Sequence, residues 1–160
     1  MTGRLSILLL TLMLALVYWQ WFLPGIRVAN DFPIASDSIA KSFMDVPRLW
    51  TERGAVGLGE YTIFTTWSYP VAFISGVLAN LGISFVALER ILLILILLLG
   101  AIGIWQIVGY LNLNNPAKVI ASIFYLANTY ILLLIDGGQL SIALAYGWFP
   151  ICFLLLEKAI

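Results

Sequence analysis

Residues 91–111 read ILLILILLLGAIGIWQIVGYL, with no charged side chain among them. A run of ~20 apolar residues matches the ~30 Å hydrocarbon core of a bilayer. At that depth every backbone N–H and C=O needs an internal partner, which a helix supplies. Three further runs are nearly as apolar: 5–23, 117–135 with Lys118 as its one charge, and 139–156. The first continues into YWQWFLPG with no small-residue cleavage signal near its end, so it reads as an uncleaved span and not a removed leader. Tyr18, Trp19, Trp21 and Phe22 form an aromatic belt there, and Pro24-Gly25 ends it.

Composition narrows the class. The chain is 62% hydrophobic and 10% charged, whereas soluble domains are about a quarter charged. Eight basic residues balance eight acidic ones, and no basic patch suggests nucleic acid as a partner. There is no histidine, so acid–base chemistry falls to carboxylates, lysine or tyrosine. The single cysteine, Cys152, lies in an apolar run and reads as a small hydrophobe. The expected localisation is the plasma membrane, with several passes.

The polar residues concentrate in one place. Four of the eight basic residues and five of the eight acids lie in 24–61, which reads as an extracytoplasmic loop. Within it, 36–50 has helical spacing, with Ile39, Phe43, Val46 and Trp50 on one face. That pattern predicts an amphipathic helix lying at the membrane surface. Gly54, Gly57 and Gly59 follow and suggest a loop. Residues 62–82 are long enough to cross, yet carry Thr, Ser, Asn and Pro70. The fold expected is therefore an all-α polytopic membrane helix bundle, with four spans if 62–82 stays on one side and five if it crosses. Four is preferred, and it places Asp31, Asp37, Glu89 and Asp136 on one side, with Arg4, Lys118 and Lys158 on the other.

In order, the chain shows an acid just past the first span (AND, Asp31) and a surface segment ending PRLW at Trp50. A Gly-rich loop and an aromatic-Pro pair, Tyr69-Pro70, follow. Then come LGISFVALER with its span, AKVIASIFYLANTY, and GGQLSIALAYGWFPICFLLLEKAI. This order resembles the N-terminal part of a GT-C class membrane glycosyltransferase, nearest to the α-(1→3)-arabinofuranosyltransferase family. The resemblance implies a catalytic acid in the first extracytoplasmic loop, a polyprenyl-phosphate sugar as donor and a glycan, protein or lipid acceptor. By position Asp31 matches the family's acid. Phe32-Pro33 stand where the family often has further polar residues, which makes Asp37 the second candidate. Members are several times longer, so the 160 residues are expected to form one membrane domain, the N-terminal fragment of a larger module whose remainder is a partner.

Each candidate also has a plainer reading. An acceptor hydroxyl needs a base to take its proton, and a carboxylate beside a low-dielectric surface is suited to that. Asp31 equally suits a turn before Pro33, and Asp37 a helix cap. Arg90 has the planar fork that matches phosphate oxygens, with Glu89 beside it. Both also fit an interfacial pair opening a span. Asp136 shares a side with Asp31 in the four-span arrangement, and it also suits the DGGQ turn. Arg48 can meet a phosphate or anionic headgroups. Trp50, Tyr69, Trp67 and Trp148 offer faces for sugar stacking or anchors at the interface. No cofactor is implied. A divalent cation stays open, since scattered carboxylates without histidine show no diagnostic ligand spacing. The alternative function is a non-catalytic small membrane subunit or transporter component.

Overall fold

Length decides which helices can reach across a bilayer. The computed structural model describes residues 2–25, 41, 44, 50–51, 60–61 and 69–160. Their helices are α1 (Gly3–Val17), α2 (Tyr69–Asn80), α3 (Phe85–Tyr110), α4 (Asn115–Leu126), α5 (Thr129–Asp136) and α6 (Leu140–Ala159), with one 3-10 turn at Trp19–Phe22. At ~1.5 Å per residue, the 26 residues of α3 extend ~39 Å and the 20 of α6 ~30 Å. Both are long and apolar enough to cross a membrane, and the bent pair α4–α5 counts as a third span if taken as one. The 15 residues of α1 and the 12 of α2 fall short of ~30 Å on their own.

The described residues bear on three expectations. The run 117–135 is not one continuous helix, because it breaks after Leu126 and turns by 46°. Of 62–82, the described residues are helical from Tyr69 to Asn80, and those 12 residues by themselves fall short of a span. Trp50 does not end a helix. Trp50–Thr51 pair antiparallel with Glu60–Tyr61, with Trp50 opposite Tyr61. Pro47 disfavours helical backbone before it and offers no N–H of its own, so a helix is hard to carry through to Trp50. Apart from residues 41, 44 and 50, the surface helix of 36–50 lies outside the described residues.

The chain forms two compact units, residues 1–33 with 89–160, and residues 34–88. In the smaller, the Asn80 amide at the end of α2 donates to the carbonyls of Gly76 and Lys41 and approaches Met44 Sδ. Backbone at positive φ closes α2, α3 and α5 through Gly82, Asn112 and Gly138. In each case the next N–H reaches back five residues to a helix carbonyl.

In the larger unit, contacts define direction. Gly3 approaches Asn115, and the Tyr18 hydroxyl reaches Leu126 O, so α1 and α4 run parallel. Gly100 meets Leu126 and Gly109 meets Lys118, so α3 and α4 run antiparallel. Gly147 lies against Ile96 and Gly103 against Pro150, so α3 and α6 run parallel. Small residues let these backbones approach, as membrane helix packing requires where lipid is as apolar as the side chains. Leu93, Ile96, Leu126, Ile131, Ile135 and Ala143 are fully buried. Most of the large exposed side chains of α1, α3 and α6 are apolar, as expected for helices facing lipid.

Candidate functional site

The first layer of the site is the end of the larger unit where α1 gives way and α3 begins. The 3-10 turn at Trp19–Phe22 leaves backbone carbonyls without helical partners. Arg90 supplies donors to two positions there. Its Nη2 donates to Leu23 O at 2.6 Å and its Nε to Trp21 O at 3.4 Å. Two of the five N–H donors of a guanidinium are thus engaged by described residues. Glu89 is 4% exposed and is itself partnered, which a carboxylate at this depth requires. Asp136, the exposed last residue of α5, belongs to the same end because α4–α5 runs antiparallel to α3. It is close enough to Tyr18 for the two to interact electrostatically.

The second layer lies deeper, level with Gly100 of α3. The break between α4 and α5 would strand carbonyls in a low-dielectric region. Asn128 prevents this from both sides. Its Oδ1 accepts from Ile131 N at 3.1 Å and caps α5, while its Nδ2 donates to Phe124 O and Tyr125 O at 3.2 and 2.8 Å. Tyr125 and Tyr146 clasp each other. Tyr125 Oη donates to Tyr146 O at 2.7 Å and Tyr146 Oη to Tyr125 O at 3.0 Å, with their rings stacked at 4.3 Å. Asn128 also donates to Tyr146 Oη, and the Tyr130 ring tilts against that of Tyr146. The Tyr18 hydroxyl donates to Leu126 O at 2.5 Å. The cluster gathers α4, α5 and α6 with the end of α1.

The sequence reading singled out none of Tyr125, Asn128 and Tyr146, and it placed Tyr18 in an interfacial aromatic belt, whereas the residue is buried. One signal was present. Asn128-Thr129 interrupts an apolar run, and Asn before such a run marks a helix start. The tyrosines carried no signal, because their partners are backbone atoms distant in sequence.

Asp31, Asp37, Arg48 and Trp67 lie outside the described residues. Trp50 is placed by its backbone in the strand pair, and Tyr69 opens α2 with its ring 5.9 Å from Phe73. Both belong to the smaller unit. Trp148 is exposed on α6. Among the described residues no group of three or more His, Cys, Asp or Glu could hold a metal ion. The chain matches no protein-family model, no curated protein and no solved structure.

Proposed function

We propose that the chain is part of a membrane glycosyltransferase that moves a sugar from a polyprenyl-phosphate donor to an extracytoplasmic acceptor hydroxyl. In this reading Asp31 takes the acceptor proton as the oxygen attacks the anomeric carbon, and the sugar–phosphate bond breaks with the polyprenyl phosphate leaving. Asp37 is the second candidate for the base. The Arg90 guanidinium meets the phosphate, while its Nε and Nη2 hold the chain at Trp21 and Leu23, the latter eight residues before Asp31. The reading places four crossings in the chain, α1 with its 3-10 extension being the first.

The observation that carries it is the Arg90 clamp. It ties the exit of the first apolar run to the start of α3, so both ends of the polar segment between them leave from one side, as a membrane-surface active site needs. The transporter reading draws on the broken helix, since broken helices supply free carbonyls to ions. Here the carbonyls of Phe124, Tyr125 and Leu126 are occupied by Asn128, Tyr146 and Tyr18, which favours the transferase.

The test is sugar incorporation by membranes carrying the chain together with the remainder of its module, supplied with a polyprenyl-phosphate sugar and a glycan acceptor. Wild-type membranes transfer, and Asp31→Asn lowers the rate about 100-fold or more, the range for a general base. Full activity in Asp31→Asn removes Asp31 from that role, and no transfer by the wild type removes the reading.

A further inference from the structure

Between α1 and α3 the larger unit leaves a groove of about 480 Å³. Its walls run from Ile7 to Ala15 on α1, with Phe22 of the 3-10 turn, and from Ile94 to Gln106 on α3, and they are almost wholly apolar. At ~1.5 Å per residue, the twelve steps from Ile94 to Gln106 span ~18 Å, close to the ~15 Å of one leaflet's hydrocarbon. Its volume is that of a small-ligand site.

One end of the groove is cationic. Lys118 Nζ lies 5.5 Å from the centroid of the Trp105 ring, and Trp105 lines the groove. The same ammonium comes within 3.4 Å of where a Cβ on Gly109 would stand, one turn beyond the groove on α3. On α1, Arg4 is one turn before Ile7 and two before Thr11, so it shares their face. The parallel run of α3 and α6 brings Lys158 to this end, with Glu157 beside it as the one acid there among the described residues. Three of the four basic residues outside 24–61 therefore gather at this end. Lys118 is also the fourth residue of α4, where the helix dipole repels a cation. No described carboxylate pairs with it to offset that.

We propose that this groove holds one acyl chain of an anionic glycerophospholipid, with the phosphate between Lys118 and Arg4 and the Gln106 amide beside it. The apolar length takes the chain, and the two cations distinguish an anionic headgroup from a zwitterionic one. The headgroup end of the groove is opposite Arg90, and the proposal does not depend on the transferase reading.

The test uses the full chain in mild detergent, titrated with phosphatidylglycerol or phosphatidylcholine, with bound lipid counted by native mass spectrometry. One cation near an anionic lipid surface is worth about fivefold in partition, so two give a preference of about 25-fold for phosphatidylglycerol. Arg4→Gln with Lys118→Gln removes that preference and leaves the chain folded, since both side chains lie at a helix end. Ala101→Phe narrows the groove and lowers retention of both lipids equally. Raised salt weakens the wild-type preference without any substitution. Equal retention of the two lipids by the wild type, an unchanged preference in the double variant, or a dimer whose second copy shields Ala15 and Leu98 overturns the proposal.

Discussion

Gly147→Ala tests the packing on which both layers of the site rest. A Cβ built on Gly147 would stand 2.8 Å from Ile96 O, 3.4 Å from Ile96 Cα and 3.5 Å from its carbonyl carbon. All three are backbone atoms of α3, so no side chain can swing aside. The helices must separate by several tenths of an ångström, and overpacking of this kind costs about 1–3 kcal/mol. Alanine also favours a helix over glycine by up to about 1 kcal/mol, which would mask part of the loss. Gly109→Ala provides the correction. It gains the same helix preference, yet its Cβ meets only the mobile end of Lys118, with Nζ at 3.4 Å. The difference between the two variants isolates the clash and is expected at about 2 kcal/mol, with Gly147→Ala the less stable. Unfolding in mixed micelles, followed by tryptophan fluorescence and circular dichroism, measures both. Stabilities equal within about 0.5 kcal/mol would refute the close approach of α3 and α6.

Tyr18→Phe removes the hydroxyl that satisfies Leu126 O and is expected to cost about 0.6–1.7 kcal/mol, the range for hydrogen bonds between membrane helices. Asn128→Ala loses the α5 cap and both amide N–H donors, which Phe124 O, Tyr125 O and Tyr146 Oη share, at once. It should cost about 2–3 kcal/mol in the same unfolding assay, and a smaller loss than that of Tyr18→Phe would deny the break its keystone. Cys152 is exposed on a helix long and apolar enough to span. A membrane-impermeant maleimide should leave it unmodified in sealed or broken vesicles and label it once detergent strips the lipid, so labelling in intact bilayer would place that face in water.

The sequence alone determined that the chain holds helices apolar enough to cross a bilayer, because a helix satisfies the backbone of such runs internally. Two of those runs appear with nearly their expected bounds, α3 beginning six residues earlier at Phe85 and α6 ending three later at Ala159. The Arg90 position was legible as a place of interest. Its two carbonyl partners were not, since they lie 67 and 69 residues away. The broken helix was half legible, through Asn128 alone. A uniformly apolar run carries no period to show where it bends, and Tyr125 has the same composition whether its hydroxyl faces lipid or Tyr146. Only the tertiary structure decided which carbonyls went unpaired at the bend and which tyrosines would reach them. Hydropathy measures transfer of a residue into the membrane, and it holds no record of which neighbour waits there.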